Sequence, residues 1–155
     1  IITGGEPMLQ QEAICSLINH LNEVYNLRPY IEFETNGTIP VIEALKKGVD
    51  RQFNVSPKLK NSGEGYDRRV IHSDYLVIQN AQFKFVVSCE EDIAETFFIA
   101  GQNKIPTKKI WLMPAASSEK ELKNIQAYVA EQCIKAGCNY SNRLHIQIWN
   151  KKTGV

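Results

Sequence analysis

Ile1-Ile2-Thr3-Gly4-Gly5-Glu6-Pro7 opens the chain, and its reading decides the fold. Two β-branched residues running into a glycine pair have the form of a strand's end. Pro7 suits a first helical turn, and Glu6 favours a helix N-terminus. The stretch therefore reads as strand, tight turn, helix. Ile1 is no start residue, and no charged leader or cleavage pattern surrounds it. We expect the chain to begin inside a larger fold.

Outward from that turn, strand and helix alternate. Leu9, Ala13, Leu17, Leu21 and Val24 recur at helical spacing and are expected to face the core. Strands are expected at 30–34, 51–55, 82–88, 109–112 and 143–149. Helices are expected at 40–47, closed by Gly48, at 90–100 and at 117–136, closed by Gly137. The last should bury Leu122, Ile125, Val129 and Ile134. Residues 59–69 are polar with two glycines and read as a loop open to motion, and 73–81 as helix or irregular chain. Such alternation implies an α/β fold with parallel strands and right-handed crossovers. We treat 1–155 as one domain.

Of the 155 residues, 43% are hydrophobic and 23% charged, which suits a packed soluble protein. Eighteen basic against 17 acidic side chains leave +1, which argues against an electrostatic nucleic-acid binder. No apolar run is long enough to span a membrane. We expect a cytoplasmic protein with reduced, buried thiols at Cys15, Cys89, Cys133 and Cys138. Cys133 and Cys138, five apart on one helix, should face different ways. None of the four has metal-ligand spacing.

Polar residues gather after successive strands: Thr3-Gly4-Gly5-Glu6, Glu34-Thr35-Asn36, Ser56-Pro57-Lys58 and Met113-Pro114. Ligands of α/β folds sit at the carboxyl ends of the strands, so these four turns point to one site. The glycine pair lets backbone approach a ligand closely, but it matches neither the dinucleotide fingerprint nor a P-loop. Glu34 could receive the amino and ring N–H groups of a pterin-like edge. Lys58 could meet a carboxylate. Lys84 faces away from Phe83 and Phe85, toward a barrel interior or solvent. Among the histidines, His20 and His72 read as surface residues. His145, on the last strand near Trp149, is the candidate substrate contact.

Thr3-Gly4-Gly5-Glu6-Pro7 resembles the GGEP motif of radical S-adenosylmethionine (SAM) enzymes. Glu34 to Gly37, Ser56 to Lys58, Phe83 to Val87 and the ending Arg143 to Val155 together resemble the 7-carboxy-7-deazaguanine synthase family. The resemblance implies a partial TIM-like barrel of parallel strands with outer helices, lacking its N-terminal strand and cluster loop. It implies SAM held by Gly4, Gly5, Glu6, Ser56, Pro57, Lys58, Met113, Pro114, Ala115 and Ala116. It implies substrate contacts from Thr3, Glu34, His145 and Val155. The substrate implied is 6-carboxy-5,6,7,8-tetrahydropterin, contracted by a radical route to 7-carboxy-7-deazaguanine with loss of ammonia, in the queuosine pathway.

The cofactors implied are SAM, a 4Fe–4S cluster and Mg²⁺. The cluster cysteines and a magnesium-binding Thr are expected upstream of Ile1, and no catalytic residue is identified in this chain. The 155 residues alone are then expected to be inactive. Implied partners are a reductant such as flavodoxin and a second copy in a homodimer, with no nucleic acid or membrane. Two other readings stay open: a radical SAM enzyme of the activating type, and a non-catalytic SAM- or pterin-binding fragment.

Overall fold

The computed structural model describes residues 1–47, 50–65 and 69–152. Gly48, the expected helix stop, lies outside them. The chain forms two compact units, one of residues 1–57 and 70–82, the other of 58–69 and 83–155. Both are α/β with parallel strands, the fold class the sequence implies.

In the first unit, a 3₁₀ turn Pro7–Gln10 leads into α1 (Gln11–Tyr25). Then come β1 (Ile31–Thr35), α2 (Glu43–Lys46), β2 (Arg51–Val55) and α3 (Asp74–Val77). β1 and β2 pair in parallel, Ile31 opposite Arg51 and Thr35 opposite Val55. Ile2 bridges Phe33 on the other edge of β1, also in parallel. Ile1-Ile2 thus behaves as the strand end its side chains predicted.

Side chains alternate across each strand. Ile31, Phe33, Phe53 and Val55 are buried. Phe33 stacks on Phe53 at 4.8 Å, and Tyr75 meets Phe53 edge-on at 5.9 Å. Full burial of each such ring contributes roughly 1.5–3 kcal/mol. The opposite face carries Glu32, Glu34, Gln52 and Asn54 and is polar.

The second unit contains β3 (Ala81–Val87) from Phe83 onward, α4 (Glu90–Gln102), β4 (Ile110–Pro114), α5 (Glu119–Ala136), β5 (Asn139–Tyr140) and α6 (Leu144–Trp149). β3, β4 and β5 are neighbours in chain order, all parallel. That singly wound order is the order of a TIM-like barrel segment. Phe83, Phe85, Ile110 and Leu112 are buried; Lys84, Trp111 and Met113 occupy the half-buried opposite face.

Five local expectations are corrected. Residues 143–149 are not a strand: 144–149 form α6. The alternation of Leu144, Ile146 and Ile148 looks strand-like, yet only Ile146 is buried, and local bonds such as Asn150 N–H to Ile146 C=O (2.8 Å) satisfy the backbone. On α1 the inward face is Gln11 and Ile14, with Ile18 and Leu21 half-buried; Leu9, Leu17 and Val24 are exposed. The rotation is set by a polar residue. Gln11 donates to Met8 and Pro40 carbonyls at 2.9 Å and accepts from Ile42 N–H at 2.8 Å, a role hydropathy does not reveal.

On α5, Cys133 rather than Ile134 faces the core, and Ile134 is 82% exposed. Cys133 and Cys138 do not point apart. The helix ends at Gly137 with φ +67°, and the Cys138 N–H returns to the Cys133 carbonyl at 3.1 Å. That reversal brings the two thiols into hydrogen-bonding contact, and burial pushes the Cys138 thiol up to about 12. All four cysteines are free, and Cys89 is exposed rather than buried.

The described part of the 59–69 loop is tied to α4. Asn61 Nδ2 donates to Asp92 at 2.7 Å, Lys60 N–H to Glu95 at 3.0 Å, and Arg69 pairs with Glu95 at 3.1 Å. Burial alone would raise the Asp92 carboxyl, but hydrogen bonds from Ser88 and Asn61 outweigh it and hold it below its ordinary range.

Candidate functional site

The glycine turn and the end of β1 are bound together by Glu6. Its Oε1 accepts from Met8 N–H at 3.1 Å, capping the helical turn behind it, and from the Thr35 hydroxyl at 2.6 Å. Its Oε2 accepts from Asn36 N–H at 2.8 Å. A carboxyl side chain suits this place because three donors converge on its two acceptor oxygens. Gly4 and Gly5 have φ of +92° and +58°. Only glycine adopts such backbone without strain. A Cβ built on either would meet nothing within 4 Å, so the turn presents bare backbone to open space. Thr3 beside it is exposed.

Thr35 is the hub behind the turn. It is 4% exposed; its hydroxyl donates to Glu6 and accepts from Gly37 N–H at 3.1 Å. The Tyr75 hydroxyl lies 3.5 Å away and is within 3.0 Å of the Ile39 carbonyl. Burial pushes the Tyr75 hydroxyl up to about 12, so it stays a neutral donor across the physiological range. Asn36 Oδ1 closes a local turn by accepting Thr38 N–H at 2.9 Å and the Thr38 hydroxyl at 2.7 Å. Sequence reading named Glu34, Thr35 and Asn36 as a strand end but missed Thr35 and Tyr75 as its support. The buried threonine at the strand end was the available signal.

Glu34 stands on the polar face of β1, where its Oε1 accepts from Asn54 Nδ2 at 3.0 Å. Ser56 continues the ladder beyond β2, donating its N–H to the Thr35 carbonyl at 2.7 Å. Pro57 after it is buried. The first unit therefore gathers Gly4, Gly5, Glu6, Glu34 and Ser56 around the carboxyl end of β1.

In the second unit, Lys58 is half-buried just before a 3₁₀ turn, Lys60–Ser62. Met113 is half-buried opposite Val86, and Pro114 is buried opposite Val87. Ala115 N–H donates to the Val87 carbonyl at 2.8 Å, and Ala116 follows into the turn before α5. His145 is exposed on α6, so the strand that was to present it does not exist. Val155 lies outside the described residues. Lys84 stands on the face away from the buried aromatics, opposite Trp111. His20 is exposed and packs on Tyr25 with ring centres 5.6 Å apart.

Among the described residues, no three His, Cys, Asp or Glu side chains gather as metal ligands. The cysteines stand at separate places: Cys15 on α1, Cys89 before α4, and Cys133 with Cys138 at the end of α5. They do not fit a 4Fe–4S cluster. Among the same residues no helix is long and apolar enough to cross a membrane.

No family model matches the chain. Several curated proteins do, three of which follow. The 7-carboxy-7-deazaguanine synthase of Pyrobaculum aerophilum is 31% identical over 158 aligned positions, covering 99% of this chain and 66% of that protein. The synthase of the same name from Hyperthermus butylicus is 32% identical over 96% of this chain and 64% of its own length. That of Halobacterium salinarum is 29% identical over 97% and 64%. The chain thus spans just under two thirds of these relatives' length. The similarity runs along nearly all of this chain's residues, and each of these relatives carries the name 7-carboxy-7-deazaguanine synthase.

Proposed function

We propose that the protein carrying this sequence is a radical SAM lyase. It converts 6-carboxy-5,6,7,8-tetrahydropterin to 7-carboxy-7-deazaguanine with release of ammonia; the relatives' name gives the product, and the motif resemblance gives the substrate. The observation that carries this reading is identity of 31–32% along nearly the whole chain to two synthases of that name.

SAM, when bound, supplies the hydrogen-abstracting chemistry; the residues here position and shelter it. The open backbone of Gly4 and Gly5 fits the methionine end of SAM, whose amino and carboxyl groups need a close approach of N–H and C=O groups. Glu6 contributes through its backbone, since its carboxylate is committed to Met8, Thr35 and Asn36. Ser56 and Pro57 are assigned to the ribose and carboxylate side of SAM. Thr3 and Glu34 are assigned to the pterin. The Glu34 carboxylate is complementary to the pterin's amino and adjacent ring N–H, two parallel charge-assisted bonds. Mg²⁺ and the cluster are assigned no ligand among the described residues, and no step is drawn through them.

The test uses the intact enzyme, reconstituted without oxygen. Incubation with the carboxytetrahydropterin, SAM and a reductant should give 7-carboxy-7-deazaguanine, identified by mass; a SAM-dependent enzyme that leaves the pterin unchanged overturns the assignment. Glu34→Gln should weaken pterin binding by roughly tenfold or more, the scale of one hydrogen bond to a charged group. SAM affinity should stay as it was. Equal loss of both ligands would remove Glu34 from the pterin site.

A further inference from the structure

The polar face shared by β1 and β2 holds more than Glu34. The register sets Glu32 beside Gln52 and Glu34 beside Asn54. Asn54 Nδ2 donates to Glu34 Oε1 at 3.0 Å and to Glu32 Oε2 at 3.1 Å. Asn54 Oδ1 accepts from Gln52 Nε2 at 2.7 Å, and Gln52 Oε1 accepts from the Tyr30 hydroxyl at 3.2 Å. The five side chains form one network of bonds with a single direction, from Tyr30 to the two carboxylates. Because Gln52 occupies the Asn54 oxygen, the Asn54 amide is oriented with both hydrogens on the two carboxylates.

Two consequences follow from elementary chemistry. Glu32 and Glu34 lie two residues apart on one face, where like charges repel. A single amide with two N–H donors can serve both, one hydrogen to each. Further, a Glu side chain has three rotatable bonds, and a planar, two-point partner is recognised only if the carboxylate plane is held. One oxygen fixed by Asn54 restricts that plane before any ligand arrives, so less ordering is left to be done on binding.

We propose that Asn54 is a positioning residue for the substrate, holding the Glu34 carboxylate at the angle that receives the pterin edge, with Gln52 as its anchor. This rests on Glu34 being the pterin's carboxylate partner. Asn54 itself touches no ligand, and SAM does not depend on it.

The experiment measures dissociation constants for 6-carboxy-5,6,7,8-tetrahydropterin and for SAM on the intact enzyme. It uses Asn54→Ala, Glu34→Gln and the double variant. Asn54→Ala should weaken the pterin about tenfold and leave SAM unchanged, and in the Glu34→Gln background it should cost nothing further, because the residues act as one unit. Additive losses would mean that Asn54 acts on its own, and no pterin effect would mean that it does not position; either overturns the inference while Glu34 keeps its role. Loss of both ligands alike would mark a purely structural residue and overturns it as well. If Glu34→Gln has no effect on the pterin, the reading beneath the inference falls. Should Asn54→Ala fold poorly from repulsion between the carboxylates, Glu32→Gln with Asn54→Ala removes that charge. The same contrast is then read against Glu32→Gln alone.

Discussion

Two turns follow two strands and are built in opposite ways. After β1, the turn Asn36–Thr38 is held from a distance. Glu6 reaches Thr35 and Asn36 across 29 and 30 residues of chain, Tyr75 reaches the Ile39 carbonyl across 36, and His72 N–H meets the Gly37 carbonyl at 2.8 Å. After β4, the turn Ala115–Ser118 is held mostly by its own neighbours. Ser117 gives its N–H and hydroxyl to Glu121 at 2.7 and 2.8 Å, and the Ser118 hydroxyl accepts Glu121 N–H at 3.3 Å. Two longer contacts reach it: Ala115 N–H to the Val87 carbonyl at 2.8 Å, where the turn leaves the strand, and an exposed one from Glu119 N–H to Asn150 at 2.9 Å. A turn supported by distant groups takes its shape from the whole unit's packing, while a self-capped turn keeps its shape whatever surrounds it. The first should therefore be fragile to single changes and the second tolerant.

The strongest way to break that contrast is Gly37→Ala. Gly37 has φ +81°, and a Cβ there would lie 2.5 Å from Val55 Cγ1 in the strand core. Backbone strain and overpacking then act together, and we expect a loss of about 2–4 kcal/mol, read from the urea midpoint of the intact protein. A cost below about 1 kcal/mol would show that the β1 turn yields as easily as an isolated one.

Glu6→Gln comes next. The amide keeps the size of Glu6 but turns an NH₂ toward at least one of three donors, so one contact becomes donor against donor. We expect about 1–3 kcal/mol in the same measurement, the cost of hydrogen bonds to a charged acceptor. An unchanged midpoint would mean that the clamp contributes nothing net.

The same contrast explains what could be read from the residues. Periodic strands such as 83–87, the Gly137 stop of α5 and the glycine pair at 4–5 are local signals, and they were legible. The Glu6 clamp, the Gln11 bonds that rotate α1 and the Asn54 amide between two glutamates are contacts across 20 to 31 residues. No spacing rule announces them. The 143–149 segment failed for another reason: over six residues, period two and a single buried Ile146 look alike. His145 was misplaced with its strand. The Cys133–Cys138 pair was misjudged because the spacing argument assumed a helix that continues, and Gly137 ends it.

Ser118→Ala is the smallest expected effect and sharpens the comparison from the tolerant side. Ser118 is the N-cap of α5 and has extended backbone, with its hydroxyl receiving the Glu121 N–H. Removing the hydroxyl leaves one helix N–H to water, a cost of about 1 kcal/mol in capping series. Glu121 keeps its own bonds to Ser117, whose N–H and hydroxyl hold the Glu121 carboxyl below its ordinary range. The turn should thus keep its geometry, and a shift in urea midpoint smaller than that of Glu6→Gln is expected. If Ser118→Ala instead costs as much as Glu6→Gln, the β4 turn is no more self-sufficient than the β1 turn. Capping and long-range clamping would then be equivalent ways of holding a strand end.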